Sequence, residues 1–266
     1  MKKSRFMVML LMVLVIASMG SASAMEVASL DTRSLETGLL SVQYQVPGHT
    51  ATKIMLEKGG ERSVFDLSAT RTEETIPLLL GDGQYKVSIL EHVSGNQYRP
   101  IKTETIEVAI VDPTARFLSS VQEIRWDQNM QAIQKAAVLT AGLTTDMEKV
   151  TAIYDYIVEN IRYDDAKAAT VTSGYQPDID ATLSAGSGIC YDYASLFAAM
   201  MRSVGVPARM AKGYAPGIDV YHAWNEILVE GEWQTMDTTM DAAYRQSKTP
   251  VKMFKDSTAF TKTSEV

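Results

Sequence analysis

Between Leu39 and Ile110 apolar and polar positions alternate with period two. In "LLSVQYQV", Leu40, Val42, Tyr44 and Val46 alternate with Ser41, Gln43 and Gln45, which predicts a strand with one buried and one wet face. "GDGQYKVSI" repeats the pattern with Tyr85, Val87 and Ile89 after an Asp82-Gly83 turn, and "SGN" at 94 to 96 separates it from "TETIEVAI". Short strands divided by turn residues, with no helical stretch among them, predict an all-β sandwich. His49 and His92 stand alone in this half and read as solvated loop or strand-end residues.

"VDPTAR", Val111 to Arg116, breaks the alternation and reads as a linker, after which the period becomes helical. Thr145 and Glu148 have the spacing of a capping box, and Val150, Ile153, Ile157 and Ile161 follow on one stripe. The polar stretch from Asp164 to Asp178, with Gly174 and Pro177, predicts a loop. Next, Ala194, Phe197, Met201 and Val204 recur at helical spacing until Gly205 and Pro207 end the run. "YHAWNEILVEGEWQTMDTTMD" reads as two strands joined at Glu230-Gly231, with Ile227 and Val229 on one face and Trp224 and Leu228 on the other. The chain thus divides into a leader at 1–24, a β-sandwich at 25–112 and an α+β domain at 113–266.

Cys190 is the one cysteine in the chain, and it begins the helix of Phe197. The first N–H groups of a helix lack partners and carry partial positive charge, which favours a thiolate there. Gly186 and Gly188 let the chain turn tightly just before it. A base is still needed, and the hairpin supplies one. If its turn is Glu230-Gly231, His222 faces Thr239, and Asp237 is the diagonal neighbour of His222 on the same face. A carboxylate on one ring nitrogen fixes the tautomer and leaves the other to take the thiol proton. Cys190, His222 and Asp237 then read as nucleophile, base and orienter, with Asp241 as the fallback orienter. Against this stands the bland alternative of a buried cysteine, a strand histidine and a capping aspartate.

Charge and the chain start narrow the setting. Lys2, Lys3 and Arg5 precede an apolar run and then Ala22, Ser23 and Ala24, the pattern of a secretory leader cut after Ala24. Its removal would take three basic and no acidic residues, turning 25 basic and 32 acidic into 22 and 32, a formal charge of −10. Such a surface excludes nucleic acid and anionic membrane as partners. A secreted, extracellular or cell-surface product follows, with no integral membrane span after leader removal. In an oxidising space an unpaired thiol is a liability, so its presence asks for a chemical reason.

"IRYD" at 161 to 164, "GSGICYDYASLFAAMMRSVGVPARMAKGY" at 186 to 214, "HAWNEI" at 222 to 227 and "EWQTMDTT" at 232 to 239 resemble successive blocks of the transglutaminase-like superfamily, cysteine enzymes of papain-like fold with many exported bacterial members. The resemblance runs from Phe117 to Asp241, and upstream of it "DGQYKV" at 82 to 87 resembles a late strand of an immunoglobulin-like or fibronectin-like sandwich. The superfamily resemblance implies a cysteine-bearing helix packed on an antiparallel sheet, and it places the family's triad on Cys190, His222 and Asp237. Asp192 and Tyr193 match a pair with a structural role, and Tyr191 departs from the glutamine often found there. For the oxyanion, the Cys190 N–H is the first donor. Ser184 stands where papain-like proteases carry glutamine, and no tryptophan lies between Trp126 and Cys190, so Tyr163 is the candidate second donor.

The implied activity is that of an exported thiol enzyme that attacks peptide or glutamine-type amide carbonyls through a thioester, ending in hydrolysis or acyl transfer. A protein or peptide substrate is the expected partner, with cell-wall association as its setting. No cofactor or metal is called for: HExxH and paired cysteines are absent. The alternative is a non-catalytic peptide-binding or cell-surface scaffold module of the same superfamily.

Overall fold

The computed structural model describes residues 28–46, 50–172 and 174–266 of the 266-residue chain. The leader at 1–24 and His49 therefore lie outside the described residues. The chain divides into two compact units, one holding most of the chain before Ala109, the other holding Ile110–Val266 together with Glu36–Leu39 and Thr75–Leu79.

The N-terminal unit is built from two antiparallel sheets. One has the order β1 (Ala28–Asp31), β2 (Leu39–Tyr44), β5 (Glu73–Pro77); the other runs β4 (Glu61–Leu67), β3 (Thr52–Lys58), β6 (Gly83–Ser94), β7 (Gln97–Val108). The period-two residues face inward: Leu40, Val42, Tyr85, Val87 and Ile89 are all buried. Alternation of this kind is what lets two sheets close over one core while their outer faces stay wet. The seven strands form the sandwich that the alternation predicts.

The second unit mixes helices with one sheet. Helices α1 (Gln131–Leu139), α2 (Asp146–Asn160), α3 (Asp165–Thr170), α4 (Ile179–Ala185), α5 (Cys190–Ser203) and α6 (Thr238–Gln246) accompany strands β10 (Ala208–Tyr214), β11 (His222–Val229), β12 (Glu232–Met236) and β13 (Thr261–Glu265) in the order β12-β11-β10-β13. A two-residue parallel pair, β8 (Arg162–Tyr163) with β9 (Ser187–Gly188), sits just upstream of the cysteine helix. The Thr145–Glu148 capping box closes α2, and its stripe of Val150, Ile153, Ile157 and Ile161 joins the core around α5. Among the described residues no helix is long and apolar enough to cross a membrane.

Two local expectations need correction. The stretch from Asp164 to Asp178 is not all loop: Asp164 accepts the N–H of Lys167 at 2.8 Å and starts α3, whose alanines favour a helix where overall polarity suggested none. Asp237 is not a strand residue either, since β12 ends at Met236. The hairpin register itself is the expected one, with Asn225 opposite Met236 and Val229 opposite Glu232. Glu230 and Gly231 both adopt positive φ, the geometry of a tight two-residue hairpin turn.

Candidate active site

Cys190 is the first residue of α5 and half-buried. The start of that helix is fixed by Asp192, which accepts the backbone N–H of Ile189 at 2.8 Å. Asp192 passes so close to Gly188 that a Cβ there would lie 2.7 Å from the Asp192 Cβ, so the glycine two residues before Cys190 answers a close approach. The N–H groups of the first helical turn have no acceptor within the helix and point out at its end. The thiol opens onto a cleft of about 510 Å³ shared with Tyr175, Lys212 and His222.

His222 begins β11, opposite Gly213 of β10. At Gly213 the sheet register shifts, and a Cβ would meet the Thr261 carbonyl at 2.0 Å, so only glycine lets β13 lie against this end of the sheet. The imidazole Nε2 donates to Asp237 Oδ2 at 2.7 Å, and both side chains are buried, at 4% and 0% exposure. Asp237 is held from the other side as the N-cap of α6, where Oδ1 accepts the N–H of Met240 at 3.0 Å. Nε2 is thereby occupied, which leaves Nδ1 as the ring nitrogen not engaged by Asp237, and His222 lines the same cleft as Cys190. Burial alone would push the imidazole pKa down, but the bonds to Asp237 and Cys190, with their charges, outweigh it and raise it to about 9. Trp224 stacks on the imidazole with ring centroids 6.5 Å apart and 17° between planes, and itself packs on Phe260 at 5.0 Å.

Tyr163 pairs in register with Gly188, two residues before Cys190. Burial raises its phenol pKa, and the charge at Cys190 raises it further, so the ring lies within electrostatic reach of the sulfur. Asp241 does not reach the imidazole. It accepts from Tyr154 at 2.8 Å and Lys255 at 2.5 Å, inside the core.

The structure also adds residues that local reading missed. Asp192, fully buried, is neutralised by Lys167 at 2.7 Å and accepts the Tyr175 hydroxyl at 2.5 Å, while Lys167 donates to the same hydroxyl at 2.6 Å. On the facing side Glu123 accepts the Tyr191 hydroxyl at 2.9 Å and pairs with Lys212, whose ammonium sits 4.4 Å above the Tyr191 ring. The sequence signal for the first network was the position of Asp192 on the inner face of an apolar helix: a buried carboxylate requires donors, though the rule does not name them.

Residues 133–238 match the family model described as the transglutaminase-like superfamily, a span that contains Cys190, His222 and Asp237. These residues form a transglutaminase-like core. The chain is 35% identical over 107 residues to the human kyphoscoliosis peptidase, a match that takes in 36% of this chain and 16% of that relative's length. Among solved structures, one described as a candidate cysteine protease from Cytophaga hutchinsonii is 18% identical, with 86% of this chain and 79% of that chain covered and a TM-score of 0.45. The periplasmic domain of TgpA from Pseudomonas aeruginosa is 19% identical, with 78% and 71% covered and a TM-score of 0.39. Within the transglutaminase-like core, the helix that carries the cysteine packs on the strand that carries the histidine, with Ala194, Phe197, Ala223 and Ile227 in one cluster.

Proposed function

We propose that this protein is a cysteine-dependent enzyme that attacks peptide or glutamine-type amide carbonyls, with Cys190 as nucleophile, His222 as base and Asp237 as orienter. The observation that carries the reading is a buried imidazole bonded to Asp237 at 2.7 Å on one nitrogen and lining the same open cleft as the Cys190 thiol.

In the proposed reaction His222 has already taken the thiol proton as base, and Sγ as thiolate forms a bond to the carbonyl carbon. The oxygen takes up the displaced electron pair against the Cys190 N–H, with Tyr163 as the second donor. The imidazolium then gives its proton to the departing amine or ammonia as the C–N bond breaks, leaving a thioester on Cys190. His222 next takes a proton from water or an incoming amine, which attacks the thioester and releases the acyl product and the thiol.

Water is the acceptor we favour. A transferase needs a shaped, dry channel that lets an amine win over solvent, and among the described residues no tryptophan lines the cleft. The basic, apolar and small-residue pattern at 1–24 supports action outside the cytoplasm on protein or peptide substrates.

The test mixes a glutamine-containing protein with a labelled primary amine and follows label incorporation against release of fragments or ammonia. Release that exceeds incorporation and disappears in Cys190→Ala is expected. Efficient incorporation with little release would make the protein a transferase. No reaction, together with Cys190 alkylation at the rate of a free thiol, would favour the scaffold alternative.

A further inference from the structure

The cleft beside Cys190 has a chemical character that the proposed triad does not use. Three tyrosines line it, and each hydroxyl is already engaged elsewhere: Tyr175 on Asp192, Tyr191 on Glu123 at 2.9 Å, and Tyr221 on Thr263 at 2.9 Å. Tied by their hydroxyls, these side chains offer the cleft ring carbon rather than hydrogen-bonding groups. No carboxylate is among the described lining residues, and the lining cations are already paired, Lys212 with Glu123 and His222 with Asp237. The wall is also stiff, because Tyr175 stands edge-on to Tyr191 with centroids 6.2 Å apart.

The mouth of the cleft continues the same character outward. Tyr221 is 52% exposed and packs edge-on with Tyr214, 43% exposed, at 5.9 Å; Val171, on the lining, is 38% exposed. A single exposed tyrosine or valine is ordinary, but a group of them at the rim of a cleft that holds a nucleophile leaves apolar area that a ligand would cover.

We infer that the cleft selects amide substrates that place a large neutral apolar side chain, an aromatic one above all, beside the attacked carbonyl, and that it disfavours charged residues there. The inference rests on the thiol-enzyme reading and adds the substrate class to it. A charged side chain entering this cleft loses water and meets no unpaired counter-charge among the described lining residues, whereas an aromatic ring replaces water on the exposed faces of Tyr221 and Val171.

The experiment uses the full chain and four acetyl-dipeptidyl chloromethyl ketones whose two residues are both Phe, both Leu, both Glu or both Lys. In each, the Cys190 sulfur forms a thioether to the methylene carbon, chloride leaves, and the thiol proton passes to His222. Iodoacetamide, which has no side chain to select, is run in parallel. The expected result is inactivation by the Phe and Leu probes about tenfold or more faster than by the Glu and Lys probes, the discrimination a single apolar subsite can supply. In Tyr221→Ser, an exposed position whose change costs little packing, the ratio of Phe to Glu rates should fall severalfold. In Val171→Asp the Lys probe should overtake the Glu probe. Equal rates for all four probes with rapid iodoacetamide alkylation would overturn the inference and leave the thiol-enzyme reading standing. Free-thiol rates with every reagent would remove both. A Phe-to-Glu ratio left undiminished in both Tyr221→Ser and Val171→Asp would also overturn it, since the selectivity would then arise elsewhere.

Discussion

The two units of this chain handle buried charge in opposite ways. In the sandwich the core is made from the inward positions of alternating strands, and among the described residues Glu74 is its one buried acidic or basic side chain. In the second unit Asp192, Arg202, His222, Glu226, Asp237 and Asp241 are all buried. Taking a charge out of water costs several kcal/mol unless partners replace the solvent. Here each has its partners: Asp192 has Lys167, Arg202 donates to the carbonyls of Ala208, Ser119 and Val266, Glu226 pairs with Arg209 at 2.5 Å, and Asp237 has His222. A fold needs hydrophobic burial alone to be stable, as the sandwich illustrates. Buried charges in number mark where a fold has been built around chemistry or around long polar struts.

That contrast can be broken most sharply at Cys190, the proposed nucleophile. Cys190→Ala removes the covalent route, so turnover should fall by on the order of 10⁵ or more while circular dichroism and the melting temperature stay near those of the parent. Retained turnover would end the assignment of Cys190.

His222→Ala should cost nearly as much, whereas Asp237→Ala should cost less, on the order of 10² to 10⁴ in kcat, because the base survives without its orienter. Asp237→Ala also strips the cap of α6, worth about 1 kcal/mol, and Asp237→Asn, whose side-chain oxygen can still cap, separates the two effects. If Asp237→Asn matches the parent in rate, the carboxylate has no part in activity.

The raised His222 pKa carries a pH dependence with a definite sign. A folded-state value of about 9 against the ordinary 6.5 means that the protonated form is favoured by folding. The associated stability is fully present below pH 6.5 and is lost as pH rises through 9. Alkylation of Cys190 followed against pH should show a limb near 9 that reflects loss of the imidazolium. In Asp237→Asn that limb should move towards 6.5, since the bond and charge that raise it are weakened. An unmoved limb would show that Asp237 does not set it.

Packing gives the next smaller effect. Gly188→Ala brings a Cβ against that of Asp192 and should destabilise the second unit by about 1 to 3 kcal/mol, with slower alkylation of Cys190 as the helix start shifts. The smallest effect belongs to the sandwich surface. Arg99→Ala loses an exposed pair with Glu91 and should change stability by less than about 0.5 kcal/mol and the alkylation rate not at all.

Much of this arrangement is legible in the sequence because it rests on local rules. The alternation of Leu40, Val42 and Tyr44 gives a strand; Thr145 and Glu148 give a helix start; the cysteine helix ends at Gly205; Glu230-Gly231 gives the hairpin and its register. Each depends on residues a few positions apart, where periodicity and turn chemistry act. The residues of the proposed triad were also named from the sequence, through the position of Cys190 and the His222–Asp237 spacing. How Asp237 reaches the imidazole was not: it lies past the end of its strand as the cap of α6, and its carboxylate faces His222 because the helix turns the chain there.

Tertiary structure alone decided the remainder. Lys167 and Tyr175 meet Asp192 from 25 and 17 positions away, Glu123 reaches Lys212 across 89, and β13 returns to pair with β10 from the far end of the described chain. No period or short motif relates such positions, since what joins them is the need of a buried charge for a partner and of a strand for a neighbour. The sequence by itself therefore determined the elements and the chemistry-bearing residues, through interactions short in chain length. The tertiary structure decided which distant side chains neutralise them and the apolar cleft they open onto, because those choices depend on closeness in space that folding alone creates.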